Sequence, residues 1–436
     1  MIRKLVSIFK NKELRERIIF TLGIILIFRF GCTLVVPGVD SRSISFNGSD
    51  IFTLMNVLGG GSLQSFSLLA LGISPYITSS IIIQLLSMGI LPKLEDLTKQ
   101  GEKGRKKIDS ATRYLTLLLA AVQGYGTILV MKNNYGLTPL DGSFSTWDYI
   151  YITTILVAGS MFTMWLADRI TSRGIGNGVS MIIFAGIIAS IPNQFYNAYQ
   201  SFVGVNLAGT SADMFSGFVK FLIYVLSYLV VIIFVVFVEK SVRKIPVQQS
   251  QNTTQIKTGD INHLPVKLNP SGVMPVIFAS SFMMAVVTIA SMFPTSETAM
   301  TVASVFNYST KVGGVYWGLI IYVVLIIMFT FFWTNMQMDP KKLSEDFAMK
   351  NAFIPGIRQG KETERHLRGV INRVAFVGAL VLVAIAVLPV LLPIYFELDA
   401  SIAFGGTSVI ILVGVASETY EQIKSKLAGK NYKGFM

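Results

Sequence analysis

The chain has 436 residues, of which 52% are hydrophobic and only 14% are charged, and its formal net charge is +13. This balance is typical of a protein with many membrane spans and excludes an ordinary soluble globule. The single cysteine, Cys32, excludes an internal disulfide, and because the two histidines lie far apart in polar loops, a Cys/His zinc site is excluded as well.

The N-terminal segment 1–17 carries six Lys and Arg residues together with apolar residues at helical spacing. This pattern predicts an amphipathic helix on the cytoplasmic face of the membrane, and a solvated tail is the alternative. The first membrane span follows at 18–36. Its apolar run is long, lacks a small-residue cleavage site and contains Arg29, so it is not a cleaved signal.

The next stretch begins with three consecutive glycines from Gly59, which allow the backbone to turn sharply. Residues 62–71 are predicted to form a short helix with Ser62 as its N-cap. With a rise of about 1.5 Å per residue, this helix is too short to cross a bilayer, which needs about 20 residues, whereas 73–91 is long enough. A short helix hinged to a spanning helix indicates a stopper, that is, a segment that blocks a path through the membrane while attached to the span. A re-entrant or interfacial loop without a moving role is the alternative.

The apolar runs predict an all-α membrane protein with ten transmembrane helices, placed at 18–36, 73–91, 112–131, 149–168, 179–192, 217–238, 272–293, 315–336, 370–392 and 402–419. They divide into two halves of five, 18–196 and 217–421, joined by an external hinge loop at 197–216. Because five is odd, any internal repeat must be inverted across the membrane. The fifth and tenth spans are short and have glycines near their starts, which indicates a central pathway; ordinary helix-end glycines are the alternative.

The positive charges fall on one side of this arrangement. Of the 37 Lys and Arg residues, 32 lie in the alternate segments 1–17, 92–113, 169–178, 239–271, 337–373 and 420–436. The positive-inside rule makes these segments cytoplasmic, so both termini and the tail 422–436 are predicted to be cytoplasmic. The charge therefore serves topology, and no direct nucleic-acid function is expected. The long cytoplasmic loops 239–271 and 337–369 indicate a large cytosolic partner, and solvated topogenic loops are the alternative.

The span interiors contain almost no ionisable side chains, and Arg29 is the clear exception. An ion-coupled carrier usually keeps acids, bases or ion pairs inside its spans. The chain also lacks a phosphate-binding loop of the G-x-x-x-x-G-K-[ST] type. We therefore expect no enzymatic activity and no catalytic, cofactor-binding or metal-binding residues. The β-branched residues around glycine and proline suit a hydrophobic constriction, although such stripes are usually packing or lipid contact.

Seven stretches of this sequence resemble the SecY family, the central subunits of the bacterial general protein-translocation channel. They occur in the order of the family at 68–86, 101–108, 174–187, 243–248, 269–281, 352–358 and 405–414. The resemblance runs essentially from end to end. It implies ten spans in two inverted, pseudo-symmetric halves, a short plug helix and a lateral opening to lipid.

The resemblance also implies roles for particular residues. The pore ring would consist of Ile73, Ile77, Val179, Ile183, Ile277 and Ile411. The plug would consist of Ser62, Leu63, Gln64, Ser65, Phe66, Ser67, Leu68, Leu69, Ala70 and Leu71. The lateral gate, between spans two and three on one side and seven and eight on the other, would use the polar residues Ser79, Gln84, Gln123, Asn269 and Ser281. A motor ATPase or ribosome would dock at Arg243, Lys244, Arg358, Lys361 and Arg365.

The function implied by the resemblance is a protein-conducting channel of the Sec pathway in the bacterial plasma membrane. It would move unfolded secretory polypeptides with signal peptides outward, release apolar segments into membrane lipid, and be driven by SecA, the ribosome or the proton motive force. SecE and SecG would be its small partner subunits. One departure from the family is Gln359, where a proline is usual, and it bears on docking. A secondary transporter with inverted repeats and an accessory paralogue for selected substrates are the alternatives.

Overall fold

The computed structural model describes residues 11–41, 44, 52, 55–56, 59–87, 91–140, 144–204, 211–249, 262–293, 296–307, 310–396 and 406–431. The helices among them are α1 Lys12–Thr33, α2 Ser74–Leu85, α3 Pro92–Lys99, α4 Glu102–Tyr135, α5 Thr146–Arg173, α6 Gly178–Tyr199, α7 Ser211–Lys240, α8 Met274–Ala290, α9 Glu297–Phe306, α10 Trp317–Gln337, α11 Pro340–Met349, α12 Lys361–Phe396 and α13 Gly406–Asn431. The strands are β1 Val39–Asp40, β2 Thr138–Pro139, β3 Val242–Gln249, β4 Asn262–Lys267 and β5 Ala352–Phe353.

Six segments in this part of the chain are helical, long enough and apolar enough to cross a membrane: Glu102–Tyr135, Thr146–Arg173, Gly178–Gly204, Phe215–Lys240, Trp317–Met349 and Lys361–Val387. They coincide with the third, fourth, fifth, sixth, eighth and ninth predicted spans. The seventh predicted span holds α8, which is apolar but has only 17 residues. The second holds α2, whose 12 residues cover about half of a bilayer core at about 1.5 Å per residue.

The long helices and α2 and α8 form two groups that meet along two seams. In the first group α4 packs against α2 and α5, α5 packs against α6, and α1 packs against α5 and α6. In the second group α10 packs against α8 and α12, and α13 packs against α7 and α12. Between the groups, α8 lies against α2 and α4, while α13 lies against α6. We call the first contact the α8 seam and the second the α13 seam.

The two long loops predicted to be cytoplasmic form one structural unit. Strand β3 pairs antiparallel with β4 on one side and with β5 on the other, which joins the loop after α7 to the loop after α10. Alternate residues of β3, Ile245 and Val247, are buried, as expected of a strand that covers a core on one face. Ile245 packs with Val266, Ile354 and Leu367 in a separate hydrophobic cluster. The all-α prediction did not anticipate this sheet.

Several predicted boundaries differ from the structure. Helix α6 extends to Tyr199 and continues as a π-helical turn to Gly204, and α7 begins at Ser211, so most of the predicted hinge loop 197–216 is helical. Helix α13 likewise extends to Asn431 into the predicted tail. Hydropathy marks the apolar stretch of a span, whereas a helix can continue into the polar membrane surface. Most of the amphipathic helix predicted at 1–17 lies outside the described residues.

Candidate functional site

A small apolar cavity lies where the starts of α2 and α8 meet α6. Its volume is ≈ 50 Å³. It is lined by Phe28, Met55, Gly59, Ala70, Leu71, Gly72, Ile73, Ser74, Ile77, Ile182, Ile183, Ile277, Ser280, Ser281 and Met284. From the second helix group, α8 supplies the lining residues Ile277, Ser280, Ser281 and Met284. All the other lining residues come earlier in the chain. Apolar walls around so small a space hold water poorly.

Four of the six predicted pore-ring residues line this cavity, namely Ile73, Ile77, Ile183 and Ile277. Two do not. Ile411 on α13 is buried with 1% of its surface exposed, and Val179 is partly buried near the start of α6. Ile182, which sequence reasoning missed, takes a place in the lining beside Ile183. Only the rotation of α6 about its own axis distinguishes Ile182 from its neighbours, and the sequence does not give that rotation.

The helices α2 and α8 begin in the same way. A glycine with positive φ, Gly72 (53°) or Gly272 (60°), precedes each helix, and a proline stands in its first turn. Glycine adopts this backbone conformation without steric cost, and proline is well tolerated at a helix start. As a result Ile77 and Ile277 occupy equivalent positions, one turn inside their helices, and both face the cavity. This correspondence agrees with two related halves.

Residues 59–73, which we call the turn segment, consist of consecutive turns, so the helix predicted over 62–71 is wrong. Phe66 has a φ of 42°, a conformation that interrupts any right-handed helix. The backbone bonds to the end of α1 instead: Val36 N–H donates to Phe66 O (3.0 Å), and Leu68 N–H donates to Leu34 O (2.8 Å). The hydroxyl of Ser62, the predicted N-cap, is buried without a partner in the described structure.

Helical residues occur instead on the N-terminal side of the glycines. Phe52, Met55 and Asn56 have helical conformation, and Met55 lines the cavity. Gly59 N–H donates to Met55 O (2.8 Å), and Gly61 N–H donates to Asn56 O (2.8 Å).

The predicted gate residues are distributed around the α8 seam. Ser281 lines the cavity from α8. On α2, the Ser79 hydroxyl donates to Pro75 O (2.8 Å), and Gln84 Nε2 donates to Ser80 Oγ (3.1 Å). Asn269 stabilises the turn that precedes α8. Its Nδ2 donates to Gly272 O (2.8 Å), and its Oδ1 accepts from Ser271 Oγ (3.0 Å). Gln123 on α4 is 2% exposed, and neither polar atom of its amide has a partner in the described structure.

Sequence reasoning also missed Gly126, one turn after Gln123 on α4. A Cβ added there would lie 2.7 Å from Thr288 Cγ2 on α8, closer than real side chains approach. Small residues let membrane helices come this close. Gly126 therefore marks a close approach of α4 to α8 in this seam.

The predicted docking residues belong to the unit formed by the three-stranded sheet β4-β3-β5 and the start of α12, which we call the sheet unit. Arg243 and Lys244 are exposed on β3, and Arg358, Lys361 and Arg365 are exposed at and after the turn that follows β5. Pairing of β3 with β5 brings these two groups, distant in sequence, into one unit. Gln359 has a structural role here, because its Nε2 donates to Ala352 O of β5 (3.2 Å).

Among the residues that the structure describes, no group of three or more His, Cys, Asp or Glu side chains could hold a metal ion. The site consists of an apolar cavity, the α8 seam beside it and a group of exposed basic residues.

Comparison with known proteins identifies the family. The model of the SecY family matches residues 67–420. The chain belongs to the SecY family. It is 39% identical over 440 residues to the protein translocase subunit SecY of Bacillus subtilis (strain 168), with 100% of each chain covered. It is also 39% identical over 439 residues to the protein translocase subunit SecY of Staphylococcus aureus (strain NCTC 8325), covering 100% of this chain and 99% of the relative.

Solved structures show the same fold. A structure described as a protein conducting channel matches with a TM-score of 0.69 and 18% identity, over 94% of this chain and 92% of the other. Sec61 in the canine ribosome-channel complex matches with a TM-score of 0.67 and 17% identity over the same shares. The SecY-family membership thus extends to the arrangement of helices in space.

Proposed function

We propose that this SecY-family chain is the channel-forming subunit of a protein translocase in the bacterial plasma membrane. It passes unfolded polypeptides with signal peptides outward and releases apolar segments sideways into lipid. The observation that carries this proposal is the apolar cavity beside the α8 seam, lined by Ile73, Ile77, Ile183 and Ile277. The full-length relatives named protein translocase subunit SecY support the same conclusion.

In this mechanism the isoleucines form a gasket. Aliphatic side chains offer no hydrogen-bonding code, so they can fit around a polypeptide of any sequence while still excluding water in the resting state. The α8 seam is the lateral gate, and the buried polar residues Gln123, Ser79 and Asn269 together with Gln84 and Ser281 are its polar lining. A signal helix opens the gate only to the extent that it binds the open form more tightly than the closed form.

The α13 seam serves as the hinge. Gly176 N–H donates to Gln422 Oε1 (3.0 Å), and the Thr419 hydroxyl donates to Met181 Sδ (3.7 Å), so polar contacts join α13 to the start of α6. Rotation of one half about this contact separates α8 from α2 and α4 without breaking either half. Domain movements of this hinged kind are common in gated proteins.

The stopper of the channel has two parts in this proposal. The turn segment, which contains the predicted plug residues 62–71, is the fixed base. The moving part includes Met55, which lines the cavity. A solved structure of similar fold is described as showing that the plug domain of SecY stabilises the closed state, which supports a stopper in this chain as well.

The assembly around the channel is also part of the proposal. Both termini and the sheet unit are cytoplasmic, ten spans form two inverted halves, and a SecA motor or a ribosome docks on Arg243, Lys244, Arg358, Lys361 and Arg365. SecE and SecG complete the complex, and SecA, the ribosome or the proton motive force supplies the energy. Support for a ribosome comes from the similar fold of Sec61 in the ribosome-channel complex.

The gasket is tested by replacing Ile277 with asparagine. A polar side chain in the cavity wall holds water there, so the resting seal loosens and preproteins with defective signal sequences are exported. Export of such a reporter is expected to rise about tenfold, the equivalent of roughly 1.4 kcal/mol. Ile289→Asn, at a half-exposed position of the same helix, is the matched control and is expected to change export little.

The same assay tests whether the gasket of the resting channel includes Ile411. Ile411→Asn changes a predicted ring residue that does not line the resting cavity, so its effect is expected to be smaller than that of Ile277→Asn. An unchanged signal requirement in the Ile277 variant, at normal protein levels, contradicts the gasket.

A further inference from the structure

The turn segment is held unusually tightly by the helices around it. Leu63, Phe66 and Ser67 have no exposed surface. A Cβ added at Gly159 of α5 would overlap the carbonyl oxygen of Leu68, and one added at Gly31 of α1 would lie 2.6 Å from Leu69 Cδ1. Glycines on these helices therefore let the turn segment approach their backbones.

Arg29, the ionisable residue inside the first predicted span, contacts the beginning of this segment. Its Nη1 donates to the carbonyl oxygen of Gly60 (2.8 Å). No carboxylate in the described part of the chain forms an ion pair with it. A charged group at membrane depth is costly and is retained where it has a partner and a role. Here its partner is a backbone carbonyl, and a charged donor makes that hydrogen bond stronger than a neutral one.

Gly60 is enclosed on both sides. Its φ is 69°, and a Cβ added to it would run into Arg29 Nη1 and would lie 2.9 Å from Gly186 Cα on α6. Cys32, one turn after Arg29 on the same face of α1, places its Sγ 3.8 Å from Gly59 O. The backbone at 59–60 is thus fixed between α1 and α6.

This fixed point is hydrogen-bonded to residues that line the cavity. The N–H groups of Gly59 and Gly61 bond to the carbonyl oxygens of Met55 and Asn56, and Met55 and Gly59 both line the cavity. We infer that Arg29 is a positioning residue of the seal: by holding the Gly60 carbonyl it anchors the base of the stopper and keeps Met55 over the constriction. The inference rests on the proposed function, because it assigns to Arg29 the resting state of that channel.

The test compares Arg29→Met with Arg29→Lys in the full chain, produced together with SecE and SecG and examined in membrane vesicles. The readout is the ion leak of the resting vesicles, with no translocating polypeptide present, at matched amounts of protein. Methionine removes the donor, so the leak is expected to rise about tenfold, whereas lysine keeps a charged donor and is expected to restore most of the seal. A purely structural role would lower the amount of protein in both variants without raising the leak per molecule.

A second pair of variants leaves Arg29 unchanged. Gly60→Ala and Gly61→Ala carry the same kind of backbone penalty, since both glycines have positive φ (69° and 85°). Only at Gly60 would the added methyl group displace Arg29 and Gly186, because nothing lies within 4 Å of a Cβ at Gly61. We expect the leak to rise in Gly60→Ala and to stay near the wild-type value in Gly61→Ala.

Equal leaks in wild type and Arg29→Met, or equal leaks in the two alanine variants, overturn the role of Arg29. Translocation of a preprotein in the same vesicles tests the proposed function separately. Normal translocation with no change in leak overturns the Arg29 inference alone. No translocation by the wild-type chain with its partners overturns the proposed function.

Discussion

At the scale of single residues, the sequence predicts which isoleucines meet at the cavity better than it predicts the close contacts of the α8 seam. Ile73, Ile77, Ile183 and Ile277 follow from motif positions, and the structure brings them to one cavity. Gly126 could not be found in this way, because its importance lies in Thr288 on a helix more than 150 residues away. A close approach between helices depends on two rotations and a translation, none of which leaves a local pattern in either sequence.

Gln123 gives the clearest prediction at this scale. Its amide is 2% exposed and has no partner in the described structure, and a buried polar group without a hydrogen bond costs about 1–3 kcal/mol. Gln123→Leu removes this cost and is expected to stabilise the closed α8 seam. Translocation is then expected to slow for weakly apolar signal sequences and to stay unchanged for strongly apolar ones.

A neighbouring variant should act in the opposite direction. Gly126→Ala pushes α4 away from Thr288, so weak signals are expected to translocate more efficiently. Translocation rates for a series of signal sequences of graded hydrophobicity measure both effects. Ala121→Leu, at an exposed position of α4, is the control. Effects of the same sign in the Gln123 and Gly126 variants would refute this assignment of the gate.

At the scale of elements, hydropathy located the long spans, and tertiary contacts decided the rest. The segment 62–71 has apolar residues at helical spacing, yet its backbone bonds to residues 34–36 and Phe66 takes positive φ. Helix propensity is a weak preference that such contacts override. The sheet unit escaped prediction for a related reason, since β5 has two residues and pairs with a strand about 100 residues earlier.

The attachment of the sheet unit to the helices can be tested on α12. A Cβ added at Gly378 would lie 2.6 Å from the carbonyl oxygen of Leu268, just after β4. Nothing lies within 4 Å of a Cβ added at Gly369. Gly378→Ala is expected to displace the chain between β4 and α8 and to destabilise the protein by about 1–3 kcal/mol. Gly369→Ala is expected to stabilise it by about 0.5–1 kcal/mol, as alanine does in exposed helices.

Thermal unfolding of the detergent-solubilised complex measures both variants. Protease sensitivity of the loops around β3 and β4 reports whether the sheet unit has shifted. A stabilised Gly378→Ala variant would mean that α12 does not hold this connection in the way described.

At the scale of the whole molecule, the odd number of spans in each half predicts inverted halves, and this stays a prediction; what the structure adds is that α2 and α8 begin in the same way. What the sequence could not give is the position of the two seams. Their difference is chemical: the α13 seam has polar contacts through Gln422 and Thr419, whereas the α8 seam lies beside the apolar cavity. In the proposed function, this difference is the reason for placing the hinge at the α13 seam and the gate at the α8 seam.

The most direct test of a polypeptide path through the cavity is disulfide crosslinking in a Cys32→Ser background, where the hydroxyl can still donate to Gly59 O. One cysteine replaces Ile77 or Ile277, and the other stands in the middle of a stalled secretory polypeptide. Phe234, on the exposed side of α7, is the lipid-facing control. We predict strong crosslinks at Ile77 and Ile277 and none at Phe234. A stalled chain that engages the membrane but crosslinks to neither isoleucine would contradict the pore and favour a transporter for a small solute.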